Sequence, residues 1–275
     1  MRQYELQIPT DSSISPGMIH YFQAALAGGV ITGEALMKFV HQQRALKADA
    51  LPTVNSNIPQ VSLDYVVKSL GRQNVVSAIE ASDAWNGILP EGDLTVVRGY
   101  SADDIARCAM ENETINANWR LVYLYGWRPY DLYQMFGKSS RPRFSDRAID
   151  GIPNVQKLLK VHKRETCLPQ YLLIDMSGRF GFMKWDDQER AMMKTDKRFM
   201  RASEAHVAET YALFSKVKGE ELLNFDHWSD AEDDRERKLA IGRHNDRSGL
   251  MLYYLPKSAH TNGHLKVCIV YLPRF

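Results

Sequence analysis

From Leu94 onward, short apolar runs alternate with stretches of helical periodicity, whereas before that point helical patterns dominate. Near the start, Tyr4, Leu6 and Ile8 alternate with polar residues as a short strand does. Pro16 opens a helical pattern with Ile19, Phe22 and Leu26 on one face, closed by Gly28-Gly29. Thr32 caps a second such pattern, carrying Leu36, Phe39, Val40 and Leu46. Residues 48–61, with two prolines and two asparagines, predict a long loop or linker. Helical patterns resume over Leu63–Leu70 and Val75–Trp85.

Further along, the pattern predicts strands over Leu94–Arg98, Arg120–Tyr125, Tyr171–Asp175 and Phe180–Trp185, the last two joined at Ser177-Gly178. Helices are predicted over Ser101–Met110, Asp131–Phe136, Val155–Val161 and residues 203–217, with Ser203 as the cap of the last. The charge-dense Asp226–Lys238 predicts a solvated helix face or loop. Leu250–Leu255 and Leu265–Leu272 predict a hairpin joined through Lys257–His264. The expectation is an α+β fold: a helical N-terminal region over residues 1–90, then a mixed, mainly antiparallel sheet with helices over 91–275.

Composition adds limits. With 275 residues, 44% hydrophobic and 25% charged, the chain can bury a sizeable core. No run approaches the roughly 18 apolar residues of a membrane span, and Met1–Leu6 lacks the apolar stretch of a secretory signal. The expected setting is cytoplasmic, or exported without a classical signal peptide. Three scattered cysteines, Cys108, Cys167 and Cys268, make no disulfide framework and read as small buried residues. Charge is uneven: residues 1–95 carry 6 basic against 9 acidic side chains, and the remainder 29 against 24. An anionic partner therefore belongs with the second part.

One segment carries candidate chemistry. In Thr95-Val96-Val97-Arg98-Gly99-Tyr100-Ser101-Ala102-Asp103-Asp104-Ile105, a strand ends on arginine, glycine permits a sharp exit, and Ser101 with Asp104 makes a capping-box variant. An arginine fork over a helix N-terminus suits a phosphate. This element resembles the corresponding part of the cholera- and pertussis-like mono-ADP-ribosyltransferases, with Val97 where that family has an aromatic. The resemblance covers about a dozen residues. It implies that Arg98 and Gly99 hold NAD as co-substrate, that Ser139 and Ser140 stand for a serine element bracing the pocket, and that Asp187 and Glu189 form the acidic element. A fixed carboxylate there stabilises charge developing at the ribose. No Ser-Thr-Ser triplet exists, Asp187 replaces a glutamate, and Glu204 and Glu209 are rival carboxylates. A second strand–glycine–helix corner, Leu124–Leu132, repeats the plan and its Arg128-Pro129 resembles part of the same family signature, but Leu124 and Tyr125 stand where the key arginine is expected. Such a transferase suits an exported effector or toxin acting on a protein target.

A different class of function is also open. Lys138, Arg141, Arg143, Arg147, Lys157, Lys160, Lys163 and Arg164 make the 138–164 segment basic, with Phe144 and His162 among them. It can meet an anionic surface, phosphoinositide or nucleic acid, while the N-terminal helices dock a protein; the chain is then a non-catalytic interaction module. His162 with Cys167 is a local Cys–His pair, and His260 with His264 lacks further zinc ligands. No phosphate-binding P-loop, dinucleotide fingerprint, kinase signature or serine-nucleophile elbow occurs.

Overall fold

The computed structural model describes residues 58–85, 93–136, 142–145, 153, 156–158, 169–233, 235–243, 249–259 and 264–274. The chain divides into compact units Met1–Asn57 and Ile58–Phe275, and every described residue belongs to the second. The strand and helices expected over residues 4–46 lie outside the described residues.

Strand β1 (Gln60–Ser62) leads into helix α1 (Leu63–Leu70), whose first turn is capped by the Ser62 hydroxyl accepting from the Tyr65 amide. Val75–Val76 form a two-residue strand β2, and α2 (Ala78–Ala84) follows under a Ser77/Glu80 capping box. Glu80 also meets Arg72 and Lys218 at 2.7 Å each. Burial opposes its ionisation, but the Lys218, Ser77 and Arg72 donors outweigh it and hold the carboxyl down at about 2.

Next come β3 (Val96–Arg98), α3 (Ala102–Thr114), β4 (Trp119–Leu124) and α4 (Pro129–Phe136). After them run β5 (Gln170–Arg179), α5 (Trp185–Thr195), β6 (Phe199–Arg201) and α6 (Glu204–Val217). The chain closes with β7 (Asp226–Glu232), β8 (Arg237–Arg243), β9 (Leu250–Pro256) and β10 (Leu265–Tyr271). The α+β class is as expected.

The main sheet runs β2-β4-β5-β10-β7-β8-β9, with β6 added on β10, and β1 and β3 form a separate antiparallel ribbon. Among the described strands only β2–β4 and β10–β7 pair in parallel. Every residue of β4 is buried, because α2, α3 and α6 pack against it. An arginine–aromatic cluster closes one side of the sheet: Arg179 joins Asp175 and Glu111 at 2.5 Å each and lies over Trp119. No helix among the described residues is long and apolar enough to cross a membrane.

Several local expectations change. β9 and β10 do not pair: β9 takes β8 as partner over seven residues, and β10 inserts between β5 and β7. The long connection between them lacks the two-residue turn chemistry that fixes a hairpin. Asp226–Lys238 is strand and turn, with His227, Trp228, Ser229 and Ala231 buried and the charges largely facing out. Ser177-Gly178 is no turn, since β5 runs through it. Gly178 (φ +71°) is needed there because a Cβ would stand 2.7 Å from the Phe225 ring.

Candidate functional site

The corner at Arg98 forms largely as expected. Ser101 Oγ accepts from the Asp104 amide at 3.2 Å and Asp104 Oδ2 from the Ser101 amide at 2.9 Å, completing the capping box. Gly99 adopts φ +85°, donates to Pro59 O at 2.7 Å and accepts from the Arg274 amide at 2.8 Å. The space above the helix N-terminus is filled from within. Asp104 Oδ1 accepts from Arg198 at 2.7 Å, the Tyr271 hydroxyl at 3.0 Å and Arg274 at 3.3 Å. Burial works against the Asp104 charge, yet the Ser101 amide, Arg198 and Tyr271 hold its carboxyl below the ordinary range. Arg98 itself is exposed on the ribbon, opposite Gln60.

The second corner tells the same story. The amides of Tyr125, Gly126 and Trp127 converge on Glu209 at 2.7, 3.0 and 3.0 Å. Glu209 comes from α6 and is buried; burial outweighs the three amide donors and pushes its carboxyl up to about 8. Both strand-to-helix corners are thus filled by one of the chain's own acidic side chains, Asp104 held as a carboxylate and Glu209 with its carboxyl pushed up by burial.

Asp187 and Glu189 sit on α5, in a helix rather than in a loop after a strand. The segment expected as a strand over Phe180–Trp185 is a turn: Phe180 and Phe182 take φ of 56° and 62°. Lys184 precedes the helix without a side-chain cap, and Asp186 and Asp187 complement the dipole of its first turn. Buried Gln188 fastens the turn by donating to Phe180 O at 3.0 Å and Leu265 O at 3.2 Å.

The inner face of α5 is a structural lock. Glu189 Oε2 accepts from Arg201 Nε at 3.1 Å, and Arg201 also donates to Gln188 Oε1 at 3.1 Å and Trp228 O at 2.7 Å. The Trp185 ring has Arg201 4.5 Å from its centroid and Lys238 Nζ at 4.4 Å. Beside it, His227 Nδ1 accepts from the Cys268 amide at 3.0 Å and Nε2–H donates to Ala202 O at 2.8 Å, which fixes its tautomer.

The outer face is open. A groove of about 550 Å³ runs along it, lined by Phe182, Met183, Lys184, Arg190, Ala191 and Lys194, with Asp187 beside them. Asp187 is ion-paired with Arg190, while Lys184 and Lys194 make no ion pair among the described residues. Phe182 is 77% exposed and Met193 63%, the most exposed large apolar side chains among the described residues.

No hydrogen bond or ion pair among the described residues joins Arg98 to Asp187 or Glu189, and Ser139 and Ser140 lie outside those residues. Of the basic 138–164 segment, Arg143 is exposed, whereas Lys157 is buried and donates to Leu252 O at 2.9 Å; its other basic residues are not among those described. Cys108 and Cys268 are buried, and burial raises both thiols well above their ordinary value, which suits packing rather than nucleophilic attack. Cys167, His162 and His260 fall outside the described residues, within which no cluster of metal-binding side chains forms. The α5 groove is not legible in the sequence because its parts sit in a turn and on a charged helix. Only the run Phe180-Gly181-Phe182-Met183, apolar and followed at once by charges, signals it. No protein-family model, curated protein or solved structure matches the chain.

Proposed function

We propose that this chain is a non-catalytic interaction module that binds an anionic partner on the outer face of α5. The observation carrying this reading is the groove itself: three cations border an exposed apolar strip, and the only carboxylate in its lining is ion-paired with one of them. Clefts of this size take a ligand or peptide side chain, and unpaired lysines give a long-range attraction that salt weakens. The test is titration with poly-L-glutamate at rising salt. Binding that weakens with salt and disappears in the triple variant Lys184→Glu, Arg190→Glu, Lys194→Glu is expected. Absence of binding at low salt overturns the reading. The same titration of a charge reversal at Arg143 asks whether the 138–164 segment adds to the anion-binding surface.

An NAD-dependent mono-ADP-ribosyltransferase is the second reading, and the exposed Arg98 at a capped strand-to-helix corner supports it. NAD should then raise the melting temperature in a way that Arg98→Ala abolishes, since a ligand that binds only the folded state stabilises it. Nicotinamide release should disappear in Glu189→Ala. No thermal shift at millimolar NAD rejects this reading.

A further inference from the structure

From the same groove we infer that its occupant is an extended acidic peptide segment of a partner protein, carrying one large apolar residue ahead of alternating carboxylates. This rests on the interaction-module reading and sharpens it. Arg190 and Lys194 lie one helical turn apart, about 6 Å along the axis. That matches the roughly 6.6 Å between residues i and i+2 on one face of an extended strand, so carboxylates two positions apart reach both cations. Ala191, the small residue between them in the helix, also lines the groove. The apolar residue of the peptide then lies against Phe182 and Met183, which precede the helix and line the groove with Lys184.

Phe182 supplies an independent argument. It holds a left-handed backbone at φ 62° while 77% exposed, so it takes on conformational strain without gaining burial. Asparagine adopts that conformation more readily. Folding therefore gains nothing from an aromatic at this position, whereas an apolar contact surface does. The concavity favours an inserted side chain over a flat bilayer, and the cations favour an acidic chain over a neutral one.

Two fluorescein-labelled synthetic peptides test this on the full chain, followed by anisotropy. Both carry glutamates at alternate positions; one has a leucine ahead of them and the other an alanine. The leucine peptide should bind about tenfold tighter, the ratio expected for partial burial of a leucine side chain. Phe182→Asn should erase that preference while keeping salt-sensitive binding of poly-L-glutamate, and it should not lower the melting temperature. Equal affinity for the two peptides, with poly-L-glutamate still bound, overturns the inference and leaves the anionic-partner reading standing. Failure of poly-L-glutamate and both peptides to bind overturns both. Phe182-dependent binding to phosphatidylserine-containing vesicles, without peptide preference, assigns the surface to a membrane and overturns the inference as well.

Discussion

Glu189 is a counter-ion in this fold, and replacing it with glutamine measures that role. The Arg201 side chain is 3% exposed and that of Glu189 27%, with Nε and Oε2 3.1 Å apart. Two unit charges about 4 Å apart at an effective dielectric near 20 attract by about 4 kcal/mol. Breaking a fully buried pair costs about 3–5 kcal/mol, and an exposed pair is worth about 0–1 kcal/mol. Solvent reaches Glu189, and Arg201 keeps acceptors on Gln188, Trp228 and Trp185. Glu189→Gln should therefore cost about 2 kcal/mol, between those limits. For a unit of this size that lowers the melting temperature by about 4–8 °C. Urea unfolding followed by circular dichroism should show an earlier midpoint at unchanged slope. In an Arg201→Met background the same change should lose most of its cost, because the charges it separates are gone. Asp187→Asn is the control: its pair with Arg190 is exposed on both sides, and the change should stay within about 0.5 kcal/mol. An unchanged midpoint in Glu189→Gln, with nicotinamide release from NAD lost, refutes the counter-ion role and returns Glu189 to the transferase reading.

Three further outcomes follow from the packing. Gly99→Ala should destabilise by about 2–4 kcal/mol, since it adds left-handed strain and a steric clash; its Cβ would stand 2.4 Å from Pro273 Cβ, and chemical denaturation measures the loss. Glu209→Ala strands the three amides of Tyr125, Gly126 and Trp127 and should cost upwards of about 3 kcal/mol, with hydrogen exchange at those amides accelerating relative to β5. For pH, burial lowers His206 from 6.5 to about 4, and burial with the nearby Arg201 charge lowers His227 from 6.5 to about 3. Both folded values lie below the unfolded one, so the unfolded chain takes up these protons first as pH falls. Their contribution is full above about pH 6.5 and is lost progressively below it. His206→Gln, which keeps an acceptor for the Ser203 amide, should flatten the acid limb of the unfolding free energy measured against pH.

Local chemistry was readable along the chain. The capping box at Ser101 and the cap Ser203 were read from the order of residues, and each depends on groups within about four positions; the caps Ser62 and Ser77 are equally local but were passed over, Ser77 lying inside the helical pattern expected over Val75–Trp85. The apolar run of β4 and the long stripe of α6 were legible for the same reason. Strand pairing was not. β10 pairs with β5, about 95 residues earlier, and not with its neighbour β9. The alternation buried in β7 was masked by the charges on its outer face.

The two strand-to-helix corners show the division most clearly. The residue order around Arg98 and Gly126 determined that a strand would turn through glycine into a helix with free amides at its start. Asp104 fills the first corner from three residues away, but the groups that grip its other oxygen, Arg198, Tyr271 and Arg274, are distant in the chain, and the acid that fills the second, Glu209, reaches Tyr125 from α6. These long-range partners are matched by the path of the backbone through space, and sequence distance carries no record of that path. The groove on α5 has the same origin. Its cations and aromatics were visible one by one, but only the packing of Trp185, Gln188 and Glu189 inward decided that Phe182, Arg190 and Lys194 face outward together.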